Sequence, residues 1–206
     1  MQPVVRDNWR RFNESLEGLT SWMYLDVKGL VTTGMGNLID PLPAALTLPW
    51  RAADGTLASP QDIRAEWTGI KNNVALAHQG AQAARAVATL HLDDAAIDAI
   101  ILNKLVQNET ILKAFQAFED FGTWPADAQL GLLSMAWAMG PGFGPRFPHF
   151  SQSCAAKDFT NAAADSQMNE AGNPGLVRRN AANRQAFLFA ASAADPTVLQ
   201  SRIPPF

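Results

Sequence analysis

The spacing of hydrophobic residues places one short β-like stretch between helical parts of the chain. Residues 6–16 repeat apolar side chains at helical spacing, and Gly18 is a typical stop for such a helix. Alternating side chains and a glycine turn near Gly29 then predict a β-hairpin. The segment 20–58, which could add a third short strand, is the only β-like part that the pattern predicts.

From residue 59 onward the pattern is helical. Ser59 and Pro60 predict an N-cap followed by a first-turn proline. Asp93 is the predicted N-cap of a long helix with a break near Asn108. Residues 125–140 are apolar nearly all round, which predicts a helix at the buried centre of a domain. Two further helices are predicted in the segments KDFTNAAADSQM and RNAANRQAFLFAAS.

The predicted fold class is therefore α+β and mostly α, in one domain of two lobes with a cleft between them. The smaller lobe, at about 18–58, contains the hairpin or a three-stranded sheet. The larger, helical lobe covers about 59–206 together with the N-terminal helix. The alanine-rich segment 74–90 is compatible with either a helix or a pliable connector.

Composition narrows the class of protein. The chain has 206 residues, 48% of them hydrophobic, which is enough for one domain with a sizeable core. A net charge of −3 without a basic tract longer than a pair argues against nucleic acid as a partner. One cysteine and three scattered histidines predict no internal disulfide and no Cys/His zinc site. No apolar run of about 18 residues occurs, so no membrane insertion is expected.

Candidate chemistry lies between the first helix and the hairpin. Glu17 and Asp26 come from different predicted elements, and two carboxyls in different environments suit glycosidic cleavage, one as acid and one as base. Thr32 could hold a water molecule, and Gly34 and Gly36 would let backbone approach a sugar. Spacing alone leaves a second interpretation open, in which the glutamate caps a helix and the aspartate serves a turn.

The motif EGL…Y-x-D-x-x-G-x-x-T-x-G-x-G resembles the catalytic signature of the phage-type lysozymes, glycoside hydrolase family 24, which includes the endolysins of T-even phages. Nine positions match without a gap: Glu17, Gly18, Leu19, Tyr24, Asp26, Gly29, Thr32, Gly34 and Gly36. The resemblance implies a lysozyme-like fold with Glu17 as general acid, Asp26 as the carboxylate that activates water or stabilises the sugar cation, and Thr32 as the water-positioning hydroxyl. It also implies inversion at the anomeric carbon, with carboxyls roughly 6.5–9.5 Å apart.

Two weaker similarities lie further along. Residues 136–150 are similar to the end of the family's central buried helix and the turn after it. Residues 173–189 resemble the family's C-terminal segment, in which an arginine reaches back to the catalytic glutamate. By position this supporting role falls on Arg178, with Arg179 as the alternative, while a solvated helix start is the competing interpretation for both.

The predicted substrate-binding residues lie on or near the motif. Tyr24 and Trp137 have rings that could stack on a sugar, although core packing is the alternative for each. Gly36 belongs to the motif, and Leu38 follows it directly. The chain departs from the family at Asn37, where a histidine is usual. Almost nothing between Leu38 and Pro125 aligns with the family. The chain as a whole is slightly acidic, whereas many phage lysozymes are basic.

The resemblance implies an N-acetylmuramidase that acts on peptidoglycan glycan strands as a monomer and needs no metal or cofactor. The biological setting is open between a phage endolysin and an antibacterial effector or pesticin-like toxin domain, with the acidity favouring the effector and a cognate immunity protein as its corollary. In either setting the protein is expected to be made in a bacterial or phage-infected cytoplasm without a signal peptide, and to act in the periplasm or cell wall after delivery. The alternatives are a lytic transglycosylase or chitinase-like glycosidase, and a non-catalytic peptidoglycan-binding module.

Overall fold

The computed structural model describes residues 1–202, which form two compact units. The helical unit consists of Met1–Glu17 and the chain from Leu102 onward, and the sheet unit consists of Gly18–Ile101. The described α-helices are α1 (Pro3–Glu17), α2 (Leu42–Leu46), α3 (Pro60–Asn72), α4 (Ala81–Ala84), α5 (Asp94–Lys113), α6 (Ala126–Met139), α7 (Pro148–Ala155), α8 (Phe159–Asp165) and α9 (Gly175–Ala191). The described strands are β1 (Thr20–Leu25), β2 (Val31–Gly34) and β3 (Asn37–Leu38). Short 3-10 helices lie at Val74–His78, Gln116–Thr123 and Pro141–Arg146.

The mostly helical composition and the small antiparallel sheet confirm the α+β, mostly α prediction. The strands follow one another in the order β1-β2-β3. Leu25 pairs with Val31 at the start of the hairpin, and both side chains are buried. The turn between them contains Gly29 at φ +72°, a left-handed conformation that glycine adopts without strain. The predicted hairpin and its glycine turn are thus confirmed.

Helix α3 holds the sheet from one side. The indole of Trp67 donates a hydrogen bond to the carbonyl of Ile39 at 2.9 Å. The ammonium of Lys71 donates to the carbonyl of Gly29 at 2.8 Å and to Asp40 Oδ2 at 2.6 Å. These contacts tie the β1–β2 turn and the end of the sheet to the helix that follows them in sequence.

The same helix also bonds to a later segment of the chain. The carboxylate of Glu66 accepts hydrogen bonds from the backbone N–H groups of Thr89 and Leu90. These bonds join residues 89 and 90 to the helix. All of these residues belong to the sheet unit, which extends to Ile101. Helices α3 and α4, which were predicted to belong to the helical lobe of about 59–206, lie in the sheet unit together with the predicted small lobe of about 18–58.

Helix α6 is the centre of the helical unit. Every residue from Ala126 to Trp137 is buried, which confirms the prediction of a buried central helix. It packs against α1 and α9. Gly131 allows the α9 contact, because a Cβ at this position would lie 3.0 Å from the ring of Phe187. Gly140, at φ +80°, ends the helix as predicted.

Some local predictions differ from the structure. Helix α5 runs through Asn108 without the predicted break, because the lower helix propensity of one asparagine is a small cost beside the packing of the buried face. Asp93 caps this helix as predicted, with Oδ1 accepting from the N–H of Ala96 at 2.8 Å. The segment 74–90 contains a 3-10 helix and the short α4. In the described part of the chain, no helix combines the length and apolar character needed to cross a bilayer.

Candidate active site

Glu17 is the last residue of α1, and its carboxylate accepts a hydrogen bond from an arginine of α9. Gly18 follows in the left-handed conformation at φ +72°, which ends the helix at this point. Arg179 Nη2 donates a hydrogen bond to Glu17 Oε1 at 2.5 Å. The Glu17 side chain keeps 30% of its surface exposed, whereas that of Arg179 keeps 2%. A partly open carboxylate is therefore oriented by a buried cation.

Arg179 is itself fixed by α6. Its Nη1 donates to Ser134 Oγ at 2.9 Å and to the carbonyl of Ser134 at 3.2 Å. Burial lowers the pKa of Arg179, while the negative charge and the hydrogen bond of Glu17 raise it, with a net lowering. An arginine this tightly bonded on two sides has little rotamer freedom, so the position of the Glu17 carboxylate is also restricted.

The arginine predicted for this role was Arg178, and the structure corrects it to the alternative, Arg179. The two residues are neighbours on α9, where successive side chains point about 100° apart. Arg179 lies on the buried face of the helix, whereas Arg178 is exposed. Sequence position could not distinguish them, because the packing of α9 against α6 and α8 determines which of its sides is buried.

Trp137 lies deep in the same unit. Its ring centroid is 5.3 Å from that of Trp9, and its residue surface is only 6% exposed. Most of the Trp137 surface is therefore packed in the core, which was the alternative to stacking on a sugar. The ammonium of Lys104, on α5, lies 3.9 Å from the centroid of the Trp137 ring. Such a contact is a cation–π interaction.

Lys104 was not predicted as a site residue, and it interacts electrostatically with the Glu17–Arg179 pair. Burial lowers its pKa, the charge of Glu17 raises it, and the charge of Arg179 lowers it, to a value of about 8. The polar Lys104 within the apolar sequence AIILNKLV was the available signal, but sequence spacing cannot show that α5 brings it against Trp137 of α6.

In the sheet unit, Asp26 closes the turn between β1 and β2. Its Oδ1 accepts hydrogen bonds from the N–H groups of Lys28 at 2.8 Å and Leu30 at 2.9 Å. Its own N–H donates to the carbonyl of Leu30 at 2.9 Å. Asp26 thus has the turn role that spacing alone suggested. Both of these hydrogen bonds to the carboxylate are accepted by Oδ1.

Thr32 is the middle residue of a row of predicted site residues. Tyr24 pairs with Thr32 between β1 and β2, and Thr32 pairs with Leu38 between β2 and β3. Directly paired residues in an antiparallel sheet have their side chains on the same face. The structure therefore brings Tyr24, Thr32 and Leu38 together on one face. Leu38 is 55% exposed at the edge of this row, whereas Thr32 is buried.

The hydroxyl of Thr32 donates a hydrogen bond to the carbonyl of Leu30, the residue just before β2, at 3.2 Å. Gly36, another predicted site residue, lies in the β2–β3 turn at φ +72° and is exposed. Gly34 precedes it, and a Cβ at Gly34 would lie 3.1 Å from the side-chain oxygen of Asn37. Asn37 thus packs against the turn itself, and glycine at position 34 makes room for it.

Each of the two units contains one of the two predicted carboxyl groups. The helical unit provides a carboxyl with a fixed cation, which suits proton donation to a leaving oxygen. The sheet unit provides a carboxylate fixed by backbone donors, with a row formed by a tyrosine, a threonine and a leucine. Among residues 1–202, no cluster of three or more His, Cys, Asp or Glu side chains could hold a metal ion.

Comparison with known proteins does not assign the chain to a family. No protein-family model matches the sequence. A search of curated proteins also finds no significant match. The residues and their geometry are therefore the basis for proposing a function.

Proposed function

We propose that this protein is a peptidoglycan hydrolase, an N-acetylmuramidase of the lysozyme-like type. Its substrate is the β-1,4 bond between N-acetylmuramic acid and N-acetylglucosamine. The observation that carries the proposal is the hydrogen bond between Arg179 and Glu17. The motif around Glu17 and the C-terminal segment resemble the phage-type lysozymes separately. That resemblance implies an arginine from the C-terminal segment on the catalytic glutamate.

This agreement is specific because the two residues are 162 positions apart. A chance match to a short motif would not bring an arginine from the matching C-terminal segment onto the motif's first residue. The further bonds from Arg179 to Ser134 support a positioning role, since they leave the guanidinium little freedom. A lysozyme-like fold is part of the proposal.

Glu17 is the proposed general acid. It donates its proton to the glycosidic oxygen as the bond to the anomeric carbon breaks, so the leaving sugar departs as a neutral alcohol. The partly exposed carboxyl can meet a substrate oxygen, and Arg179 holds its other side. After the reaction Glu17 is an anion, and the positive charge of Arg179 stabilises that state.

Asp26 is the proposed second carboxylate, which activates the attacking water or stabilises the positive sugar ring. The bonds from Lys28 and Leu30 to Oδ1 keep this carboxylate in one orientation. Thr32 is the proposed water-positioning residue, and its hydroxyl is oriented by the hydrogen bond that it donates to the carbonyl of Leu30. Tyr24 and Leu38, its neighbours on the same face, are the proposed contacts for the sugar, and Gly36 lets the backbone come close.

The test compares purified wild-type protein with Glu17→Gln and Asp26→Asn on purified peptidoglycan. Each substitution keeps the shape of the side chain, and asparagine can still accept the two turn hydrogen bonds. Glu14→Gln, an exposed position on α1, is the matched control. We expect new reducing ends with the wild type and the control, and a loss of roughly 10³-fold or more with Glu17→Gln.

Fragment masses separate the possible outcomes. Hydrolysis releases reducing muramic acid ends, whereas a lytic transglycosylase releases anhydro-muramyl ends. Equal solubilisation by the wild type and Glu17→Gln would remove Glu17 from the chemistry. Binding to the wall without any released fragment would favour a non-catalytic binding module.

The biological setting is the second part of the proposal. The slight acidity of the chain and the sheet-unit helices without family resemblance favour an antibacterial effector or toxin domain over an endolysin. An adjacent gene for a small exported protein that binds and inhibits this chain would support the effector. An adjacent holin gene would support the endolysin.

A further inference from the structure

We infer that Lys71 is a positioning residue for Asp26, and that it acts through the single peptide group that joins Gly29 to Leu30. Lys71 lies in the last turn of α3, in the segment where almost nothing aligns with the phage-type lysozymes. The inference deepens the proposed function and rests on it for its consequence in catalysis. The link between the two side chains can be measured in a protein without any activity.

One peptide group connects Lys71 to Asp26. Its carbonyl, which belongs to Gly29, accepts a hydrogen bond from the Lys71 ammonium at 2.8 Å. Its N–H, which belongs to Leu30, donates to Asp26 Oδ1 at 2.9 Å. Because a peptide group is planar, its carbonyl and its N–H rotate together. A rotation that takes the Gly29 carbonyl away from Lys71 therefore also takes the Leu30 N–H away from the Asp26 carboxylate.

Gly29 is the residue at which this peptide group could rotate with little resistance. Its φ is +72°, and a Cβ at this position would have no neighbouring heavy atom within 4 Å. Glycine has the widest choice of backbone torsions, so its own conformation does little to hold the peptide group that follows it. The bond from Lys71 holds the carbonyl of that group from outside the turn.

Asp40 keeps the Lys71 ammonium against the turn. Asp40 Oδ2 accepts hydrogen bonds from Lys71 Nζ at 2.6 Å and from the N–H of Val31 at 3.2 Å. Val31 is the first residue of β2, directly after the turn. The ammonium is therefore bonded to the turn directly at Gly29, and through Asp40 at the start of the next strand.

The expected consequence is a carboxylate with a better-defined position. A cation bonded to a carbonyl polarises the peptide group, which makes the N–H at the other end a stronger donor. Lys71 thus both orients and strengthens the bond that Leu30 gives to Asp26 Oδ1. Reactions that need an aligned group can lose roughly 10²-fold in rate when that group is displaced by about 1 Å. The proposed role of Asp26 has this requirement.

The first experiment measures the link by amide hydrogen exchange, followed by NMR. It compares the wild type with Lys71→Met and with Arg64→Met, an exposed cation on the same helix that serves as the matched control. We expect the Leu30 N–H to exchange roughly 10-fold faster or more in Lys71→Met, because the turn opens more often without the ammonium. Arg64→Met should keep the wild-type rate at Leu30.

Other outcomes of this experiment decide against the inference. Unchanged exchange at Leu30 in Lys71→Met would overturn it. An equal acceleration at all amides of the sheet unit would also overturn it, since that pattern is a general loss of stability. Lys71→Gln, whose shorter side chain reaches less far, is a second variant with the same expected result should Lys71→Met not fold. Lys71→Arg keeps the charge and the donors and should keep most of the protection.

The second experiment measures the consequence for hydrolysis in a double-mutant cycle. Lys71→Met should lower kcat by roughly 10-fold and leave KM nearly unchanged, because it disturbs a group that acts in the chemical step. In an Asp26→Asn background the same substitution should have little further effect on kcat, since Lys71 acts through that carboxylate. Lys71→Arg should recover most of the rate. Equal losses in both backgrounds would show a role that does not pass through Asp26.

The two experiments distinguish the inference from the proposed function. If the wild type hydrolyses no peptidoglycan but exchange at Leu30 responds to Lys71→Met, the muramidase proposal fails and the link stands. If hydrolysis depends on Glu17 and Asp26 but Lys71→Met lowers kcat equally with and without the Asp26 carboxylate, the positioning role of Lys71 is wrong.

Discussion

Arg179 and Glu17 are 162 residues apart in the sequence, yet Nη2 of the arginine donates to Oε1 of the glutamate at 2.5 Å. The arginine is buried, bonded to Ser134, and contributed by the inner face of α9. Its neighbour Arg178 is exposed on the same helix. This pair of arginines provides an internal control for the positioning of the proposed acid.

Arg179→Lys should reduce peptidoglycan hydrolysis by roughly 10²-fold, because one ammonium cannot bond to Ser134 and Glu17 with the geometry of a guanidinium fork. Arg178→Lys should leave the rate near that of the wild type, since the substitution keeps the charge at an exposed position. The measurement is release of reducing ends under saturating peptidoglycan. Equal losses in both variants would show that charge at the start of α9, and not the bond to Glu17, is what the activity requires.

Ser134→Ala should lower the free energy of unfolding by about 1–2 kcal/mol, because it leaves a buried guanidinium N–H with one acceptor fewer. Ser192→Ala, at an exposed serine that bonds to the carbonyl of Leu188, is the control and should change it by less than about 0.5 kcal/mol. Urea unfolding followed by circular dichroism measures both. A Ser134→Ala protein as stable as the wild type would mean that the carbonyl of Ser134 is sufficient to hold Arg179.

Asp40 and Lys71 should make the sheet unit sensitive to acid. Burial raises the pKa of Asp40, but the Lys71 hydrogen bond, the Val31 N–H and the Lys71 charge together lower it below the ordinary 3.8. A lowered folded-state pKa stabilises the fold above the ordinary value, and this stabilisation is lost as the pH falls through the lowered pKa. Asp40→Asn should therefore cost about 1 kcal/mol at neutral pH, since the pair is only partly exposed.

Unfolding free energies measured from pH 7 down to pH 2.5 test this prediction. The difference between the wild type and Asp40→Asn should shrink below pH 3.8. In a Lys71→Met background the same substitution should cost less at neutral pH, because the charged partner is already gone. A constant difference at all pH values would show that Asp40 acts through packing alone.

Two helix glycines should respond to alanine in opposite directions. Gly131→Ala should cost about 1–2 kcal/mol, because the new Cβ would lie 3.0 Å from the ring of Phe187, which is itself packed on Phe150. Gly69→Ala, on α3 with no atom within 4 Å of the new Cβ, should add about 0.5–1 kcal/mol through helix propensity. Thermal unfolding of both variants gives the comparison. Stabilisation by Gly131→Ala would mean that α6 and α9 can separate slightly without cost.

Much of the secondary structure could be predicted from local patterns. The buried helix α6 was evident from its apolar residues on all sides, and the hairpin from alternation and from Gly29, whose left-handed backbone is a local requirement. The extent of the sheet unit could not be predicted in this way. It depends on Lys71 and Glu66, polar residues of α3 that bond to chain segments far from them in sequence.

The sequence by itself determined the elements and the order of candidate groups, because hydrophobic period, glycine conformation and motif spacing act over a few residues. Only the tertiary structure decided which side chains meet. It selected Arg179 over Arg178, since a helix turns about 100° per residue and packing chooses the inner face. It also placed Lys104 of α5 against the ring of Trp137 of α6, a contact between two helices that no local pattern encodes.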